Sequence, residues 1–451
     1  MSVHVIAILL LVAAFALATL LPINLGAICL VAAFVVGSFV LDGAPDDIAD
    51  KIFAEFPGSL FVVLVGVTFL FAIARANGTV DWLVHVAVRG VRGRIALIPW
   101  IMFAITGVLT SVGAVVPAAV AIIAPVALSF ALRHRINPVL MGLSVINGAS
   151  AGGFSPLSIF GVITNGVVAK SGLPGSPLTL FLGSLIFNVL LNGVVFFLFG
   201  GRELLGRQAT PEPAAVGAAE DGVAPGGGPG SARPQTTGAT GASFDDAAGD
   251  VGTLNLNRAL TLLVLAALAV GALAFGLDIG LLAITAAVVL SLLAPQTYKG
   301  AVAQVAWPTV LLVCGIVTYV NLMQEIGTIK FLGQQVALIG VPLLAALVIC
   351  YIGGAVSAFA STTGILGALI PLAVPFLMAG HIGAVGLITA LAISASVVDS
   401  SPFSTSGALV VASSPEEKRD YVYRRLMAWG FSMVAVGPVI TWLVFVVPGW
   451  L

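Results

Sequence analysis

Long apolar runs separated by short polar joints make up almost the whole chain. Runs over residues 3–21, 25–41 and 59–74 each have the uniform hydrophobicity of a bilayer-crossing helix. The joint at 42–57 is acidic, and residues 75–94 are amphipathic and bear arginines, as at a membrane interface. Residues 95–132 are apolar throughout and end in Arg133-His-Arg135. That length fits either two crossings or a re-entrant hairpin, and a tip rich in Gly, Ser and Pro near 110–117 favours the hairpin. Residues 138–168 follow, then a further run at 178–199. After a polar stretch the series begins again at 257–275, 277–294, 307–324, 341–379, 382–412 and 427–447.

Two of these runs are interrupted. Asn147-Gly-Ala-Ser-Ala-Gly-Gly-Phe-Ser-Pro-Leu-Ser-Ile-Phe-Gly161 breaks the first, at the depth of the bilayer midplane. Ser394-Ala-Ser-Val-Val-Asp-Ser-Ser-Pro-Phe-Ser-Thr-Ser-Gly407 breaks the second. Backbone leaves a helix at that depth only where it is buried in protein or lines a cavity. Ser155-Pro156 reads as an N-cap and first helical residue that restart the helix. A half-helix beginning there aims free N–H groups and a positive dipole end at whatever occupies the midplane.

A shift of 246 residues places Ser150, Ser155, Pro156, Ser158 and Gly161 on Ser396, Ser401, Pro402, Ser404 and Gly407. Over Gly107 to Gly161 that shift gives 14 identities in 55 positions without a gap, among them Pro125 on Pro371. Further up the chain, Gly280 answers Gly26 and Gly315 answers Gly66. The chain is therefore a duplication, with repeats at 1–200 and 257–451 joined by residues 201–256. That joining stretch, of Gly, Ala, Pro, Ser and Thr with scattered charge, has the composition of a flexible linker. Paired broken helices in two halves mark a transporter's binding site.

Five crossings per half, an odd number, would insert the halves with opposite topology. With both termini outside, fifteen of the 18 basic residues fall inside, and only Lys51, Lys170 and Lys330 fall outside. The linker is then cytoplasmic. The expected fold is an all-α polytopic membrane protein of two inverted-topology repeats. It has about ten transmembrane helices plus two re-entrant hairpins (95–132 and 341–379) and two broken helices at the midplane.

Composition agrees and excludes the rest. The chain is 59% hydrophobic and 8% charged, against about 25% charged in soluble domains. A net charge of −1 leaves no footprint for nucleic acid. Cys29, Cys314 and Cys350 have neither disulfide nor metal spacing. No nucleophile–base set suggests an enzyme, and no cofactor is expected beyond a coupling ion.

An inverted repeat with a hairpin and a broken helix in each half resembles the ion transporter superfamily, which includes the divalent anion/sodium symporters. In that superfamily each hairpin tip carries Ser-Asn-Thr about ten residues before a Pro. Ser361-Thr362-Thr363 stands ten residues before Pro371 and resembles it, with Thr in place of Asn. Ser357 falls where the family places a sodium-binding hydroxyl. The first-half tip, Val115-Val116-Pro117, departs from the motif, and only Ser111 keeps its place. More narrowly the chain is similar to MatC-type dicarboxylate carriers, proposed malonate transporters. That likeness rests on the N-terminal region through Gly148-Ala-Ser-Ala-Gly-Gly-Phe-Ser-Pro156, on Tyr421-Val-Tyr-Arg-Arg-Leu-Met-Ala-Trp429, on Gly437-Pro438 and on Trp442. It implies a homodimeric symporter of a small dicarboxylate in the inner membrane, with elevator-type movement and sodium or protons as coupling ion. Citrate or a sulfonate, or a channel or sensor on the same fold, are the alternatives.

Neither hairpin tip nor either break carries Lys or Arg. A bound dianion would need helix N-termini, hydroxyls and co-bound cations, and sodium suits backbone carbonyls and hydroxyls at a broken helix. The expected substrate contacts are Ser155, Ser158, Ser361, Thr362, Thr363, Ser401 and Ser404. The expected cation ligands are Ser111, Asn147, Gly148, Ser150, Ser357, Ser396 and Asp399. Hydroxyls in such helices also bond their own backbone and permit close packing. Asp399 is the one acid at midplane depth, a cation ligand or proton carrier by default, or else a cap on the restarted helix. Gly153 occupies its place in the first half. Asn188 and Asn192 are expected to join helices to each other.

Overall fold

The computed structural model describes residues 3–89, 94–207, 254–329, 331, 341–358, 362–378 and 382–449. Among them every element is helical. The first half runs α1 (Val3–Leu20), α2 (Leu25–Val40), α3 (Pro45–Ala54), α4 (Gly58–Ala76), α5 (Thr79–Arg89), α6 (Ile98–Ser111), α7 (Val116–Arg133), α8 (Pro138–Gly152), α9 (Ile159–Lys170), α10 (Pro177–Leu198) and a single turn, α11 (Gly201–Leu204). The second runs α12 (Leu256–Phe275), α13 (Ile279–Leu293), α14 (Trp307–Glu325), α15 (Pro342–Ser357), α16 (Thr362–Met378), α17 (Ala384–Val397), α18 (Thr405–Ser413) and α19 (Glu416–Phe445). Six of these helical stretches are long and apolar enough to cross a membrane. Leu20, Phe39, Leu190 and Leu292 stand exposed on the outer surface, where lipid rather than water would cover them. The chain is an all-α polytopic membrane protein.

Three boundaries differ from the sequence reading. The acidic joint at 42–57 folds as α3, with Pro45 in its first turn and Asp46 and Asp47 beside the positive helix end. The last helix begins at Glu416 rather than at 427. Its first turns are charged, so hydropathy marks only the apolar part of a longer helix. The half-helices restart at Ile159 and Thr405, three residues beyond the Ser-Pro pairs.

The two halves are held together by exchange. α2 packs on α14, and α4 packs on α13. Glycines make both crossings possible. A Cβ on Gly26 would strike the Leu311 carbonyl, and one on Gly315 would strike the Gly26 carbonyl. At the other crossing a Cβ on Gly66 would lie 2.8 Å from the Gly280 carbonyl, and one on Gly280 would lie 2.8 Å from the Val63 nitrogen. Gly26 and Gly280 are repeat-equivalent, as are Gly66 and Gly315, so one contact is the two-fold image of the other. Matching caps start these helices: Asn24 accepts from the Gly26 N–H in α2, and Asp278 from the Leu281 N–H in α13.

The rest of the helices surround the breaks. Every residue of α8 is buried, as is all but one of α17; a helix apolar on all sides belongs at the centre. Each is the first half of a broken helix. The helix pairs α6–α7 and α15–α16 fold as hairpins. Their first arms pack on the first half-helix of their own repeat, α6 on α8 and α15 on α17. Their second arms cross over, α7 to α18 and α16 to α9.

Candidate functional site

The two breaks have the same backbone construction. At the first, Ser158 caps α9: its hydroxyl accepts from the Gly161 N–H and donates to the carbonyls of Gly153 and Ser155. At the second, Ser404 caps α18 in the same way, with Gly407, Asp399 and Ser401 as its partners. The glycines are required. A Cβ on Gly161 would collide with the Ser155 carbonyl, and one on Gly407 with the Ser401 carbonyl. The run Ser-Pro-x-Ser-x-x-Gly therefore encodes this turn. Ser155 and Ser401 are not the caps; each accepts the N–H two residues on, from Leu157 and Phe403.

What the hairpins bring to the breaks differs. Ser155 donates to the Ser111 carbonyl at 2.6 Å, tying the first break to the tip of its hairpin. The Ser111 hydroxyl bonds the Gly107 carbonyl of its own helix. In the second half the Ser357 hydroxyl lies 2.9 Å from that of Thr362 and donates to the Ala395 carbonyl at 2.7 Å. The Asp399 side chain neighbours Thr362. Asp399 does not cap α18; Ser404 does. Ser357, Thr362 and Asp399 thus lie together as one group, and Thr363 is buried beside it at 7% exposure. Ser361 lies outside the described residues. Ser396 bonds the Ile393 carbonyl one turn back and points along its own helix.

Asn147 and Ser150 stand on α8 with the Asn147 amide nitrogen and the Ser150 hydroxyl buried and without hydrogen-bond partners among the described residues. Gly148 lets the first hairpin approach, since a Cβ there would strike the Phe103 carbonyl. The two breaks adjoin, because α8 packs against the turn Val398–Ser400. Apart from Ser111, every described candidate residue is buried.

Sequence reasoning missed Ser184 and Ser144 in a polar seam between α8 and α10. Ser184 donates to the Ser150 carbonyl at 3.2 Å and so supplies the link between helices. Asn188, expected to do so, bonds only Ser184 on its own helix, and both polar atoms of Asn192 find no partner among the described residues. Ser144 is buried and has no hydrogen-bond partner for its hydroxyl among the described residues. The signal was the spacing 184, 188, 192, which keeps three polar side chains on one helical face.

Residues 1–153 match the family model of the dicarboxylate carrier protein MatC N-terminus. Residues 263–449 match the model of the citrate transporter. These two matches support a dicarboxylate carrier of the ion transporter superfamily. Both models describe carriers of carboxylates, so this carrier is a secondary transporter of carboxylate anions. Its fold is similar to that in the crystal structure of the Alcanivorax borkumensis YdaH transporter. The TM-score is 0.58 at 14% identity, over 90% of this chain and 89% of that one. No curated protein matches the chain.

Proposed function

We propose that the carrier moves a small dicarboxylate, malonate or a C4 acid, across the inner membrane in symport with sodium or protons. The observation that carries this reading is that buried Asp399 neighbours the hydrogen-bonded pair Ser357 and Thr362. It is one acid among hydroxyls, next to a helix start, with no Lys or Arg in either hairpin tip or break. A buried carboxylate repels a dianion, so it calls for a cation or a proton alongside.

In this reading Asp399 and Ser357 hold the cation, with the Ser111 carbonyl, Asn147 and Ser150 as the weaker first-half counterpart. Thr362, Thr363, Ser155 and Ser401 face the substrate carboxylates. The hydroxyls of Ser158 and Ser404 already serve the backbone, and the N-termini that they cap supply the dipole. Burial of both breaks means that access from either side requires movement. The hairpins with α8, α9, α17 and α18 would move as one body against a scaffold that includes the glycine crossings, in a homodimer with both termini outside. A second reading, citrate, is favoured by the citrate-transporter match over residues 263–449.

The test is uptake of labelled malonate into proteoliposomes under a sodium gradient, a proton gradient or neither, with succinate, citrate and sulfate as competitors. Saturable, gradient-dependent uptake is expected. Thr362→Val should raise the half-saturation constant about tenfold, the value of one hydrogen bond to a charged group. Uptake that ignores both gradients would sink coupling, and citrate competing far better than malonate would move the substrate to the second reading.

A further inference from the structure

A cavity of about 760 Å³ opens where the ends of α7, α10 and α19 meet. Four cations line it, Arg135, Arg207, Lys418 and Arg425, against one acid, Glu203. All four belong to the basic set that the charge distribution assigns to the cytoplasmic side. Glu416, Glu417 and Asp420 share α19 but do not line the cavity. No ion pair among the described residues neutralises Arg135, Lys418 or Arg425. The ring of His134, just past α7, is held below the usual imidazole range by burial and then by Arg133 and Arg207, as expected in a positive field.

Two of the cations are held in place. Arg207 donates to the carbonyls of His134 and Arg135, at 3.0 and 3.3 Å. The Arg425 guanidinium sits 5.6 Å over the Tyr421 ring, and Asn137 donates to the Tyr421 hydroxyl. Arg135 is the revealing one. It follows α7 in the left-handed region, φ 51°, and among the described residues no other non-glycine does so. At the ends of α4 and α9 the chain places Gly78 and Gly172 in that conformation. An arginine there is strained, because its Cβ crowds the following carbonyl oxygen, and such strain at a defined position points to a function.

The remaining wall is apolar, with Leu132 and Leu198. These are 51% and 65% exposed, and they continue into the outward face of α10 through Phe197 and Leu190. We propose that this cavity binds the phosphodiester headgroup of an anionic phospholipid, its acyl chains lying along α10. A soluble anion would use the cations but not the apolar wall, whereas a phospholipid uses both. Basic pockets between helices at the cytoplasmic boundary suit such headgroups.

The test is thermal melting and native mass spectrometry of the purified full chain with phosphatidylglycerol, phosphatidylcholine or inorganic phosphate. Phosphatidylglycerol is expected to raise the melting temperature and to stay bound, and the other two are not. Each cation removed should weaken phosphatidylglycerol binding about fivefold, so Lys418→Gln with Arg425→Gln should lower it roughly 25-fold. Arg135→Gly relieves the backbone strain, so it should melt no lower than the parent without lipid and yet lose about fivefold in binding. Equal stabilisation by phosphatidylcholine would overturn the proposal. So would undiminished phosphatidylglycerol binding in these variants, or displacement of the lipid by inorganic phosphate.

Discussion

At the first break a serine caps the second half-helix, bonds two carbonyls behind it and relies on a glycine three residues ahead. The second break repeats each of these bonds through Ser404 and Gly407. The side chains arriving from the hairpins do not repeat. Val116 and Pro117 stand where Thr362 and Thr363 stand, and Gly153 stands where Asp399 does. Symmetry therefore belongs to the backbone and asymmetry to the chemistry. The repeat supplies two equivalent helix starts. Only at the second break, among the described residues, does an acid, Asp399, meet hydroxyls brought by a hairpin.

Three experiments bear on that contrast. The largest effect should come from Asp399→Asn, which under the proposed coupling would leave the cation or proton without its carboxylate. Losing one partner of a buried pair costs about 3 kcal/mol, so uptake should fall roughly 100-fold. Gly153→Ala, at the matching position, meets neighbours at 3.1 Å and should retain most activity. Equal losses in the two variants would erase the asymmetry. Next come Gly161→Ala and Gly407→Ala, each of which drives a Cβ into a serine carbonyl. Overpacking of this kind costs about 1–3 kcal/mol, and both should lower the melting temperature alike. If one were tolerated, the breaks would not share a construction. The smallest effect is expected from Ser158→Ala and Ser404→Ala. Loss of an N-cap costs about 1 kcal/mol, with the half-saturation constant for substrate little changed. A large, one-sided rise in that constant would show a serine touching substrate and return it to the site.

The architecture was legible because it rests on composition and on repetition. Apolar runs gave the helices, and the 246-residue shift located both breaks. Local rules failed where tertiary packing decides. Ser155-Pro156 has the look of a helix start, yet the chain makes one more turn there, because Gly161 lets Ser158 fold back onto the preceding carbonyls. Hydropathy passed over α3 and the charged beginning of α19, since neither is apolar. Asp399 was visible as a lone acid among apolar residues, but its neighbour Thr362 stands 37 positions away in the chain. The polar seam on α10 was seen as a spacing, and only its neighbours on α8 show how little of it is paired.

The glycine crossings also bear on biosynthesis. α2 and α4 are made early, but the faces that carry Gly26 and Gly66 fit helices lying some 200 to 300 residues further along the chain. Until α13 and α14 have entered the bilayer, those faces have only lipid beside them. α2 and α4 must therefore wait for these partners while the ribosome completes the second half, even though α6, α7 and α10 can already pack on α8. Quality control in the membrane would meet this protein first with those two glycine faces uncovered, and truncated chains lacking α13 and α14 would have no means of covering them.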